Sequence, residues 1–279
     1  MAISTRFDLS PNDIKRRFAR VLDLVGVNQL GLSLQKLMLG PFIRAVNYHE
    51  IRKDDLVKFE EHLAYFRDHY ASVDLEILQD FLLSGKWAGS KPGLILSFDD
   101  GHRSHFDLAA PLLEKYGFKG WFFVPIGLMA IGDSAQEAGR INALTLEQLE
   151  YLRDNHIVGS HTVTHRRLSS SVPLESLKEE IVGSQDLFQD ILGRPVRSFC
   201  WVGGEEENYS REAADLIRKT YDFSFMTNNF VNCPGTNPLQ LQRTNIESEN
   251  PLWLVRFQLS GLMDLLYLGK RRRVNRLTA

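Results

Sequence analysis

The stretch LILSFDDGHRSHF (94–106) decides the fold. It opens on an apolar, strand-like run and stops abruptly on two adjacent carboxylates, Asp99 and Asp100. Short apolar runs of this length suit strands buried on both faces. Similar runs recur at FIRAVNYH (42–49), GWFFVP (120–125), HIVGSH (156–161), SFCWVGG (198–204), FSFMTN (223–228) and LQLQRTNIE (239–247). Between them lie helix-like segments at 55–69, 104–117, 145–154, 173–192 and 210–220. Thr145 and Pro173 suit helix starts, and Gly117 and Gly193 fall where helices should end. This alternation argues for a parallel sheet, closed as a barrel or doubly wound. The barrel is favoured because polar and reactive residues collect at the carboxyl ends of the strands: His49, Asp99, Asp100, His161, Trp201, Thr227, Asn228 and Arg243. A (β/α) barrel converges those ends on one mouth, whereas a doubly wound sheet gathers them at its switch point.

Composition sets limits. A chain of 279 residues, 43% hydrophobic and 24% charged, suits one large globular domain. A net charge of −2 gives the whole molecule no bias towards nucleic acid. The start, MAISTRFDLSPNDIKRRFARV, lacks the apolar core of a signal peptide, and no run of about 18 apolar residues follows, so a cytoplasmic location is expected. Cys200 and Cys233 form neither a disulfide framework nor a C-x-x-C pair and read as buried thiols.

Two neighbouring carboxylates facing one cavity repel, and one is driven to a raised pKa unless something separates their roles. A divalent metal does so by holding Asp100 ionised and leaving Asp99 beside it as a base. SHTVTH (160–165) supplies further ligands: His161 and His165, four apart, meet on one face of a helical or tight turn. Two histidines and one carboxylate leave open coordination positions, as catalytic zinc and iron sites do.

Ser97–Gly101 followed by His161–His165, [ST]-F-D-D-G and then H-[ST]-x-x-H, resembles the first two signatures of the polysaccharide deacetylase family (NodB homology, carbohydrate esterase 4). The similarity runs from about Ala45 to Glu247 and takes in N-Y-H-E-I, P-L-L-E-K-Y-G-F-K-G-W-F-F-V and L-Q-R-T-N-I-E. It implies a distorted, TIM-like (β/α)7 barrel and metal-dependent removal of N- or O-acetyl groups from a sugar or glycan, as in cell-surface polysaccharide biosynthesis. By position, Asp99 matches the family's catalytic base, Asp100 its metal aspartate, and His161 and His165 its metal histidines. Zinc stands first among the metals; cobalt, nickel and iron accept the same ligands.

The chain departs from the family twice. The late L-x-H histidine that serves as general acid is missing, since no histidine follows His165. His49 is the first candidate to replace it, with His102 and His105 in reserve. The R-x-P-[YF]-G motif is also missing; SFCWVGGEEENYS (198–210) takes its place. There Trp201 either stacks on a sugar or belongs to the core. Glu205, Glu206 and Glu207 read as a solvated loop. Arg243 either pairs with Asp99 in place of the missing arginine or forms an ordinary ion pair.

Residues 1–40 read as a helical extension with Ile14, Phe18, Val21, Leu22 and Val25 on one apolar face, 41–250 as the barrel, and 251–279 as an apolar helix with a basic tail. Lys270, Arg271, Arg272, Arg273 and Arg276 suit either a clamp on anionic lipid at the inner membrane face or the solvated end of a packed helix. With lipid contact, the substrate includes a lipid-linked saccharide. A second function class stays open, a carbohydrate-binding or scaffold protein on the same fold.

Overall fold

A computed structural model of the chain describes residues 19–129 and 142–279. Among these, nine strands form one sheet: β1 (Ile43–Tyr48), β2 (Ala71–Ser72), β3 (Gly93–Phe98), β4 (Gly120–Val124), β5 (Ile157–Ser160), β6 (Ser198–Cys200), β7 (Phe223–Met226), β8 (Val231–Asn232) and β9 (Leu241–Asn245). β1 pairs in parallel with both β3 and β9, so the order β1-β3-β4-β5-β6-β7-β9 returns to its start as a closed seven-stranded parallel barrel. The expected (β/α)7 fold is therefore the observed one. β2 pairs in parallel beside the start of β3, and β8 lies antiparallel to β1 outside the ring.

The apolar runs are explained by burial on both faces. Ile43, Ala45, Ile95, Trp121, Phe123, Phe225 and Leu241 fill the barrel interior. Their neighbours Val46, Tyr48, Leu94, Leu96, Phe98 and Phe122 pack against the surrounding helices. Each such side chain contributes roughly 1.5–3 kcal/mol through burial.

The helices are α1 (Val27–Leu39), α2 (Leu56–His69), α3 (Leu75–Ser84), α4 (Ala110–Tyr116), α5 (Leu146–Asn155), α6 (Leu174–Leu192), α7 (Arg211–Thr220), α8 (Leu252–Leu259), α9 (Leu262–Leu266) and α10 (Leu268–Leu277). Thr145 and Gln148 form a reciprocal capping box at the start of α5, and Gly117 and Gly193 end α4 and α6 in the left-handed conformation. α3, which the apolar pattern did not announce, is started by Asp74, whose carboxylate accepts from Ile77 N at 2.9 Å.

The extensions differ from expectation. Ile14 and Phe18 lie outside the described residues, while Val21 and Val25 are exposed rather than turned to the barrel. The tail is three short helices, not one, because Gly261 takes a left-handed φ of 88° between α8 and α9. Three of its cations are turned to protein acceptors rather than held as a free clamp. Lys270 Nζ donates to the Gly204 and Thr227 carbonyls, Arg271 Nη1 to the Asn229 carbonyl at 2.7 Å, and Arg273 Nε to Glu206 at 2.8 Å. Both extensions meet at Arg44, fully buried on β1, which bonds both carboxylate oxygens of Asp264 at 2.9 Å and Gln35 Oε1 at 2.7 Å.

Candidate active site

A cavity of about 710 Å³ opens at the carboxyl end of the barrel, and its lining takes in Asn47, His49, Asp99, Asp100, His161, His165, Thr227 and Arg243. The side chains that the sequence placed on separate strand ends are thus brought together.

Asp99 continues β3, with its N–H donating to the Tyr48 carbonyl at 2.9 Å. Asp100 and Gly101 then both take positive φ, 76° and 62°, which turns the chain sharply and sends the two carboxylates apart. A non-glycine residue in this conformation is strained by about 1–3 kcal/mol, which a functional site tolerates. Arg243 of β9 grips Asp99 with two parallel bonds, Nη1 to Oδ1 at 2.7 Å and Nη2 to Oδ2 at 2.8 Å. Burial pushes the Asp99 carboxyl up, but the Arg243 guanidinium, together with His161 and His49, outweighs it and holds the group below the usual carboxylate range. Ser97 Oγ and Thr227 Oγ1 accept from the same guanidinium, and Phe123 lies beneath it.

Asp100 faces the histidines. Its Oδ1 is 3.0 Å from His165 Nε2 and 3.6 Å from His161 Nε2, and the three ligand atoms lie within 4.8 Å of one another. Burial raises the Asp100 carboxyl, yet the two imidazoles beside it, His161 and His165, bring it well below its ordinary value. The donor set fits a divalent transition metal, because His161 Nδ1 is 2.9 Å from the Cys200 carbonyl. A carbonyl can only accept, so Nδ1 carries the proton and the Nε2 lone pair is left for a metal.

The histidine pair does not lie on a helical turn. Residues 161–165 form a loop in which Thr162 and His165 take positive φ, and it is this reversal that brings the rings to 5.0 Å. Glu180 of α6, buried, holds the loop: its carboxylate accepts from Val163 N at 2.9 Å, from Thr164 N at 2.8 Å and from the Thr164 hydroxyl. Glu180 was not foreseen, since sixteen residues separate it from Thr164 and only the fold joins them.

His49 sits at the cavity edge with Nδ1 2.7 Å from Glu247 Oε1, the end of the LQRTNIE run. The hydrogen bond that Nδ1–H donates to Glu247 is the largest cause and outweighs burial, raising the imidazole to about 9, which favours the cation at neutral pH. Asn245 Nδ2 reaches the same Glu247 oxygen at 3.3 Å, and Asn47 Nδ2 reaches Asn245 Oδ1 at 2.8 Å. The reserve histidines are placed otherwise. His105 is buried, lowered to about 4 by that burial, and its Nε2 meets the His49 carbonyl at 3.0 Å. His102 bonds Ser104 Oγ at 2.8 Å outside the cavity lining.

Trp201 borders the cavity but is only 2% exposed: its indole donates to Ser224 Oγ at 2.9 Å and packs on Tyr209, so most of the ring is core. Glu205 closes its own loop by accepting from Asn208 Nδ2 at 2.6 Å, and Glu206 pairs with Arg273. Tyr267, between α9 and α10, also lines the cavity, with the Lys270 ammonium 5.4 Å above its ring.

A closed seven-stranded barrel bearing an aspartate pair and two histidines at its mouth defines a recognisable class, and the comparisons agree with it. Residues 87–221 match the family described as polysaccharide deacetylase. YxkH of Bacillus subtilis (strain 168), which carries a polysaccharide deacetylase name, is 25% identical over 179 residues. The match covers 62% of this chain and 60% of the length of YxkH. Among solved structures, the deacetylase PplD of Streptococcus pyogenes, in complex with acetate, has a TM-score of 0.64 at 21% identity, covering 78% of this chain and 98% of that one. IcaB from Ammonifex degensii has a TM-score of 0.66 at 20% identity, covering 81% and 98%. These two likenesses show the fold. Over residues 87–221 the chain is similar to the polysaccharide deacetylase family.

Proposed function

We propose that this chain hydrolyses acetyl groups from a sugar or glycan, N-linked or O-linked, with a divalent metal held by Asp100, His161 and His165. The observation that carries the reading is the division of labour between adjacent carboxylates: Asp100 converges with two imidazoles while Asp99 is turned away and clamped by Arg243. A bound divalent cation would supply Lewis acidity to the acetyl carbonyl and to the attacking water, and zinc suits the donor set.

Asp99 then acts as base. Arg243 occupies one lone pair on each oxygen and leaves others to receive the water proton. His49 acts as acid. With Nδ1 committed to Glu247, Nε2–H is the proton it can deliver to the leaving nitrogen or oxygen. Cavity walls from Tyr267 and Asn245 hold the sugar beside these groups.

The test is metal titration followed by acetate release from a panel of N- and O-acetylated glycans. One zinc per chain with chelator-sensitive acetate release is expected, and Asp100→Asn should weaken zinc binding at least about tenfold. Metal bound without acetate from any glycan would favour the carbohydrate-binding reading instead.

The His49–Glu247 bond has a consequence for stability. Because the fold raises the His49 pKa, its stabilising contribution is complete below the unfolded value near 6.5 and is lost as pH rises to about 9. Glu247→Gln should therefore be less stable than the parent at pH 6, and the difference should shrink by pH 9.5. Urea unfolding at the two pH values measures it.

A further inference from the structure

We propose that the outward faces of α1 and α9 form one docking surface for an anionic lipid surface, with the cavity mouth set at its edge. Among the described residues no helix is long and apolar enough to cross a membrane, so the contact is interfacial.

α1 is apolar on two sides. Leu32 and Asn28 face the barrel, whereas Leu30, Leu34, Leu37 and Met38 recur at i, i+4, i+7 and i+8 on the opposite side. Leu37 is 81% exposed and Met38 78%. On α9, Leu265 and Leu266 are 72% and 76% exposed. The inward residues of the two elements, Gln35 and Asp264, meet on the same Arg44 guanidinium, and Gln35 Nε2 also donates to the Leu259 carbonyl at 3.0 Å. Their outward residues therefore share one flank of the molecule. Clustered apolar exposure of this kind marks an interaction surface.

Charge selects the occupant. Three carboxylates of the neighbouring segments are each bonded to an arginine: Asp23 to Arg256, Asp68 to Arg67 and Asp264 to Arg44. Arg20, Lys36 and Lys91 have no carboxylate partner among the described residues, and Lys36 and Lys91 are close enough to His69 to help depress its pKa. A flank that is apolar and positive complements anionic headgroups, with about 1 kcal/mol per cation near such a surface. Two copies of it would repel one another. Leu266 is followed directly by Tyr267 and then Lys270, both in the cavity wall, so a docked chain presents its mouth to whatever glycan stands at the lipid surface.

The proposal does not depend on the chemistry assigned to the cavity, and its test keeps the two apart. The full chain is sedimented with vesicles of phosphatidylcholine alone and of phosphatidylcholine mixed with phosphatidylglycerol. A variant carrying Leu37→Ser, Met38→Ser, Leu265→Ser and Leu266→Ser, all at exposed sites, is run alongside and its folding checked by thermal unfolding. Binding to the anionic vesicles, weakened by salt and reduced at least about tenfold in the variant, is the expected result. Acetate release from a small acetylated sugar in solution should be equal in both proteins. A chain that stays in the supernatant, or a variant that binds as well as its parent, overturns the proposal. So does a dimer in sedimentation velocity that the same substitutions dissolve, which would assign the flank to a second copy.

Discussion

Replacing Asp99 by asparagine is expected to lower kcat/KM for acetate release roughly 10²–10⁴-fold, the usual contribution of a positioned base. Zinc affinity should stay within a few-fold of the parent, because both Asp99 oxygens are held by Arg243 while Asp100, His161 and His165 would hold the metal. Activity and metal binding measured on one preparation therefore separate base from ligand. Retention of activity within a few-fold would remove Asp99 from the mechanism.

The same substitution should also destabilise the fold. The Asp99–Arg243 pair is buried, at 3% and 1% exposure. Asparagine keeps one acceptor for the guanidinium but sets an NH2 against its other donor. Leaving a buried charge without its partner costs about 3–5 kcal/mol. Chemical denaturation should show a lower midpoint with little change in slope. Arg243→Met leaves the opposite orphan: burial would then raise the Asp99 pKa against only the weaker pull of His161 and His49, and the acid limb of the pH profile should move upward.

What the sequence disclosed and what it hid divide along a physical line. Strands of a parallel barrel are buried on both faces and so print as apolar runs, which is why β3 and β4 could be read directly. The D-D-G and H-x-x-x-H spacings were legible because the chemistry is local. The mechanism of their convergence was not. His161 and His165 meet through a left-handed turn at His165, and the loop between them is held by Glu180 from a different helix, which no spacing rule anticipates. Trp201 shows a complementary limit. An aromatic residue at a strand end suits a sugar platform or a core position equally, and the bond to Ser224 and the burial of the ring, visible only in the fold, favour the core although the residue borders the cavity. The tail misled for a third reason. Its apolar content predicted one helix, but Gly261 breaks it, and cations that looked free are bonded to carbonyls of distant loops.

Glu247 is the residue whose role the sequence concealed most, and the second large effect turns on it. His49→Asn should reduce acetate release by about 10²–10⁴-fold if His49 supplies the leaving-group proton. Glu247→Gln tests the same assignment without removing the acid. Its carboxylate is the largest cause of the rise in the His49 pKa to about 9, so the alkaline limb of kcat/KM should lie near that value in the parent and fall towards the ordinary histidine range in the variant. The free enzyme's acid is what this limb reports. At pH 8 a histidine of pKa about 9 is roughly nine-tenths protonated, while one near 6.5 is protonated in about one molecule in thirty, so the rate at that pH should drop about 30-fold. At pH 5.5 the imidazole is protonated in both proteins, and their rates should approach each other. A cation bound at Asp100 would cancel part of the smaller support that Asp100 gives His49, but not the direct bond from Glu247. A uniform loss at every pH would instead mean that Glu247 holds the ring in place without tuning it, and an unchanged profile would assign the acid to another group.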